Sequence, residues 1–129
     1  MHIDPSQTYI ALGADGVVSP VPGGDAFWSL PAADIEQFGR DWLVTEFVCS
    51  TNWPSWERHP EADEFIYLLS GAATVHLESS SGRTSVTLRE RGAVVVPRGV
   101  WHTAHLAVPS RFLIVTMGAG TEHRPANQD

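Results

Sequence analysis

The chain has 129 residues and a mass of 14.1 kDa, with 43% apolar and 9% aromatic residues. That is enough to bury one core, too short for two, and too apolar for a disordered chain. Its net charge is −7 and all eight basic residues are arginine, which excludes Schiff-base and P-loop lysine chemistry and leaves no electrostatic footprint for nucleic acid or an anionic membrane.

Residues 1–40 form an irregular N-terminal segment. Its opening Met-His-Ile-Asp-Pro does not resemble a signal peptide. Gly13, Gly16, Pro20, Pro22, Gly23 and Gly24 interrupt candidate strands over 9–12 and 26–30. Pro31 opens a single helical turn in which Ile35 and Phe38 share a face, and Gly39 closes it. From 41 onward the pattern is cleaner. Strands are expected over 42–49, 64–69, 73–78, 84–88, 93–96, 101–108 and 112–117, with a Trp/Pro-rich loop at 51–63 and a tight turn at 79–82. Residues 118–129 read as a loose polar tail. The longest apolar runs, Phe65 to Leu69 and Ala93 to Val96, fall far short of the roughly 20 residues that cross a bilayer. Cys49, the single cysteine, has no disulfide or CxxC partner, which fits a small buried side chain in a reducing cytoplasm.

Many short strands with tight turns in one domain point to an all-β sandwich or barrel, and polar and aromatic residues at strand ends favour a barrel with a lined cavity. The strand at 64–69 is apolar at both parities, so both of its faces should be covered, one by the barrel interior and the other by the N-terminal segment or a second subunit. A homodimer with N-terminal strands in its interface is therefore expected.

Two stretches carry the chemistry. One runs from Trp56 through Glu57, His59 and Glu64 to Gly71; the other runs from Gly92 through Pro97 and Gly99 to His102. Together they resemble the two motifs of the cupin superfamily over residues 41–117. In the first motif His59 precedes Glu64, and Gly71 follows six intervening residues later; Glu57 stands where the family has its first His. In the second, Pro97, Gly99 and His102 fit Pro-x-Gly-x-x-His, with one residue fewer than the fuller pattern between Gly92 and Pro97. The resemblance implies a small single-domain cupin of the cupin-2 type, a jelly-roll β-barrel (double-stranded β-helix) spanning 41–117, with 1–40 extending the barrel or dimer interface.

The residues support a metal site in their own right. Glu57 and His59 are two apart and share a face of an extended strand. Pro60 breaks the strand, so that Glu64, at an odd spacing, can face the same interior. His102 can enter from a neighbouring strand after the Pro97–Gly99 turn. Two imidazoles and one or two carboxylates suit a divalent ion, iron, manganese or zinc, with open positions. Glu57 reads either as a fourth ligand or as a general base beside the ion. Trp53, Trp56 and Trp101 flank these positions and are expected to wall a substrate pocket. Glu61 and Asp63 read as solvated acids, His76 as structural, His105 as outward-facing, and the near-terminal His2 and His123 as without role. The functional expectation is dioxygenase-type or lyase-type chemistry on a small organic molecule. The alternatives are a non-catalytic metal- or ligand-binding cupin, or a barrel that has lost its metal.

Overall fold

A computed structural model describes residues 2–126. In chain order its elements are β1 (Thr8–Leu12), β2 (Val18–Pro22), α1 (Asp25–Trp28), α2 (Ala32–Phe38), β3 (Trp42–Cys49), β4 (Ser55–Arg58), β5 (Glu64–Ser70), β6 (Ala72–Ser79), β7 (Gly82–Arg89), β8 (Ala93–Val96), β9 (Trp101–Leu106), β10 (Ser110–Thr116) and β11 (Glu122–Pro125). They form two antiparallel sheets, one ordered β2-β1-β3-β10-β5-β8 and the other β11-β4-β9-β6-β7. Where a barrel was expected, the strands lie in these two separate sheets of the double-stranded β-helix type.

The sheets are held together by the residues that alternate inward. Ile66 and Leu68 of β5, Phe112 and Ile114 of β10, Val75 of β6 and Ala104 of β9 meet in one core. At about 25 cal/mol per Å² of apolar area removed from water, this layer is the main source of stability. The corner that carries the chain from β5 to β6 is Gly71, at φ +102°; a Cβ there would run into Ser110, so only glycine makes this crossing. Ser110 is itself buried and ties the corner down, its hydroxyl accepting from the Ala72 N–H.

A smaller cluster of Tyr9, Ala11, Val21 and Phe27 lies beside the main core, with Ile35, Phe38 and Leu43 packed on it. Here the structure corrects the strand expected over 26–30. Gly23 donates back to the Gln7 carbonyl and closes the β1–β2 hairpin, and Phe27 and Trp28 then bond to Gly24 in a helical turn that seats Phe27 against Tyr9 and Phe38. The turn opened by Pro31 forms as α2, ending at Gly39.

Three further strands lie where none was expected, the first being β2, which pairs with β1 in the N-terminal hairpin. Four residues of the Trp/Pro-rich loop form β4, and 122–125 of the supposedly loose tail form β11, which pairs along the whole of β4. Residues 127–129 of that tail lie outside the described residues. The N-terminal strands extend the six-stranded sheet at its β3 side and do not cover the outer face of β5, where Phe65 is 36% exposed and Val95 of the neighbouring β8 is 58% exposed. No helix among the described residues is long and apolar enough to cross a membrane.

Candidate metal centre

Glu57, His59, Glu64 and His102 converge on one point between the sheets, one potential donor atom of each lying within 4.8 Å of the others. Three features of the backbone bring them there. Glu57 on β4 is the cross-strand partner of His102 on β9, so the two side chains leave the same face of the sheet. Pro60 and the turn after it carry the chain across to the facing sheet, where Glu64 begins β5 pointing inward. The Pro97–Gly99 turn closes under His59, with the Gly99 N–H donating to the His59 carbonyl at 2.9 Å and Gly99 itself at φ +77°.

His59, Glu64 and His102 are all buried, at 6%, 3% and 0% exposure, which is costly for groups of this polarity unless they are paired. Nε2 of His59 lies 2.9 Å from Glu64 Oε1, and Nε2 of His102 lies 2.7 Å from Glu64 Oε2. Yet His59 Nε2, His102 Nε2 and Glu64 Oε2 have no hydrogen-bond partner. The other ring nitrogens account for this. His102 Nδ1 faces the Val100 carbonyl at 3.3 Å, which can only accept. His59 Nδ1 faces Thr121 Oγ1 at 2.8 Å, and that hydroxyl already donates to the Gly118 carbonyl at 2.7 Å. Each Nδ1 therefore carries the proton, and in the neutral rings each Nε2 is a bare lone pair aimed at a carboxylate. Two lone pairs against one carboxylate are repulsive until a cation lies among them, so the donor set fits a metal ion.

The electrostatics show the same demand for positive charge beside Glu64, which protons on the imidazoles meet where no cation lies. Burial alone would raise the Glu64 carboxyl, but the imidazoles of His102 and His59 outweigh it and bring its pKa down to about 2. Burial lowers His102, and the adjoining Glu64 carboxylate overcomes this to raise it above its ordinary value. Glu64 is thus held as a ready anion at any physiological pH.

Glu57 is less enclosed. One of its oxygens is 3.7 Å from His59 Nε2 and the other is 3.3 Å from Nε2 of His123, and both residues line the cavity. His123 was not expected here. It is brought in by β11, whose register sets it directly across from Glu57. The same segment supplies Thr121. No sequence motif marks either residue, and the only available signal was the short alternation of the tail after Gly118.

Of the three tryptophans expected to wall the pocket, Trp53 does so, packing against Phe47, Phe112 and the His102 ring. Trp56 and Trp101 do not. Each precedes an inward residue on its strand and therefore points outward. There Arg58, Trp101, Arg124, Trp56 and Arg83 stack in turn, each guanidinium 4.8–4.9 Å from the ring centroids. His76 and His105 also face outward, with Nε2 of His76 3.1 Å from Nδ1 of His105, while Asp63 accepts from the Arg98 backbone on the surface.

Residues 50–116 match the family described as Cupin domain. No curated protein matches the chain. Among solved structures, the fold is similar to an uncharacterized conserved protein with a double-stranded β-helix domain from Klebsiella pneumoniae, with TM-score 0.55 and 20% identity over 65% of this chain and 75% of that one. It is similar also to a cupin-2 domain containing protein from Shewanella frigidimarina, with TM-score 0.51 and 17% identity over 59% of this chain and 70% of that one. A third is oxalate oxidase in complex with the substrate analogue glycolate, with TM-score 0.53 and 17% identity over 67% of this chain and 45% of that one. At these identities the likeness is one of fold.

Proposed function

Because this chain belongs to the cupin superfamily, we propose that it is a metal-dependent enzyme acting on a small organic molecule in the cavity between its sheets, by oxygenase-type or lyase-type chemistry. The observation that carries this reading is the pair of bare imidazole nitrogens converging on the buried Glu64 carboxylate. His59, Glu64 and His102 would hold the ion, with Glu57 as a fourth donor, and the likeness in fold to oxalate oxidase supports an oxidoreductase reading. A bound divalent ion supplies a Lewis acid and open coordination positions for oxygen donors.

The chain's own residues do the rest. Thr121 and Val100 fix the two rings so that Nε2 faces inward. Trp53, Phe47 and Phe112 keep water from the inner wall. Glu57 presents its outer oxygen to His123 at the cavity side, where a carboxylate can take a proton from a bound substrate. We also place the working molecule as a homodimer joined through the exposed face of the six-stranded sheet.

The test of the Glu57 assignment is Glu57→Gln, assayed for metal affinity and for oxygen uptake or decarboxylation over a panel of small oxygen-donor compounds. As a ligand, Glu57 should cost at least about tenfold in metal affinity when neutralised. Unchanged metal affinity with lost turnover would make it the base instead. A metal-loaded chain that binds compounds from the panel and turns over none is a binding protein.

A further inference from the structure

The cavity that reaches Glu57, His59 and Glu64 has a volume of about 570 Å³, within the range of sites that enclose a small organic molecule. Its far end is built by the N-terminal segment. Tyr9 of β1, Phe27 and Trp28 of α1, Ile35 of α2 and Leu43 of β3 line it there. In the sheet order β1 stands three strand spacings from β5, so this apolar end is about 14 Å across the sheet from Glu64 at 4.7–4.9 Å per strand. The cavity is therefore two-ended, with oxygen and nitrogen donors at one end and aromatic and aliphatic side chains at the other.

Its charge is as informative as its shape. The chain has no lysine, and among the described residues no arginine lines the cavity. Arg58, Arg83, Arg98, Arg111 and Arg124 pair with acids that do not line it either. Among the described residues that line the cavity, the only acidic or basic side chains besides the histidines are Glu57 and Glu64, whose two carboxylates match the charge of a divalent ion. The ion can take one anionic donor, but a second negative charge, as on a phosphate or a dicarboxylate, meets no arginine or lysine among the described lining residues, and burying it unpaired is costly.

We infer that the substrate is an aromatic molecule of one or two rings, neutral or singly negative, with an oxygen-donor head that meets the metal and rings that lie against Phe27, Trp28 and Ile35. This rests on the metal reading above and narrows it. It also gives α1 and α2 a task, since they are the specificity wall of the site.

Metal uptake by the full-length chain is measured first. A chain that takes up no metal defeats the reading on which this inference rests, and the inference with it. The metal-loaded chain is then titrated calorimetrically with 3-hydroxy-2-naphthoate, with glycolate, which is a monoanion with an oxygen-donor head and no rings, and with tartrate, a ringless dianion. The naphthoate should bind at least about tenfold tighter than either. Glycolate or tartrate binding as tightly as the naphthoate overturns the substrate class while leaving the metal reading intact. Trp28→Ala and Ile35→Ala remove side chains that are not part of the fully buried core. Each should weaken the naphthoate by roughly tenfold, with metal content and glycolate affinity unchanged. Naphthoate affinity equal to wild type in both variants overturns the placement of the rings.

Discussion

Thr121 holds the His59 ring by accepting from Nδ1 while giving its own proton to the Gly118 carbonyl, so one hydroxyl decides which face of the imidazole is free. Removing that hydroxyl leaves the ring size and the backbone alone and tests the tautomer argument by itself. Thr121→Val should lower metal affinity about 10- to 100-fold, the cost typical of losing the group that orients a histidine ligand, with the far-ultraviolet dichroism of the folded protein retained. Metal affinity equal to wild type would mean that His59 is oriented by something else. The residue scale is also where the sequence was most legible. Glu57, His59, Glu64 and His102 were legible through the two cupin-like motifs, and a strand's two-residue period with a proline break allows Glu57, His59 and Glu64 to aim at one interior. That same period places Trp56 and Trp101 away from the pocket they were expected to wall. Each is adjacent to an inward donor, so alternation sends it to the other face.

β11 acts as a strap across the end of β4, and Arg124 latches it. The Arg124 guanidinium lies 4.9 Å from the Trp56 ring and 4.8 Å from the Trp101 ring, and it bonds Glu78 at 2.9 Å. The strap delivers His123, and the turn before it delivers Thr121. Arg124→Ala should therefore destabilise the fold by about 1–2 kcal/mol, the worth of partly desolvated cation–π contacts, and should also loosen metal binding although Arg124 is on the opposite face from the metal. Denaturant unfolding read beside a metal titration checks both, and a stability loss with unaltered metal affinity would sever the strap from the site. β4 and β11 were illegible in the sequence for a physical reason. Their inward positions are Glu57 and His123, which serve the cavity rather than the core, and in β4 the apolar Trp56 faces outward under arginines. Hydrophobic alternation marks strands that pack a core, and it fails on strands that line a polar site. β5, with Ile66 and Leu68 inward, obeys the rule and was placed to within a residue.

At the scale of the whole molecule an apolar surface is left uncovered. Phe65, Val95, Val48 and Trp42 are exposed on the outer side of the six-stranded sheet, at 36%, 58%, 57% and 38%, and the N-terminal segment, which could have covered them, instead widens the sheet and walls the cavity. A second copy meeting the same face is the simplest cover. Sedimentation at micromolar concentration should give a dimer, and Phe65→Glu should give a monomer that still holds metal; a wild-type monomer would contradict it. On the proposed reading the labour divides at this scale: one sheet face for association, the space between sheets for chemistry, and the N-terminal helices for selection of the substrate. All of it depends on the metal centre. Elemental analysis of the metal-loaded wild type beside His59→Ala and His102→Ala tests that centre most directly. The account predicts one divalent ion per wild-type chain and loss of that ion in both variants, each still a folded β protein; wild-type stoichiometry in the two variants would contradict it.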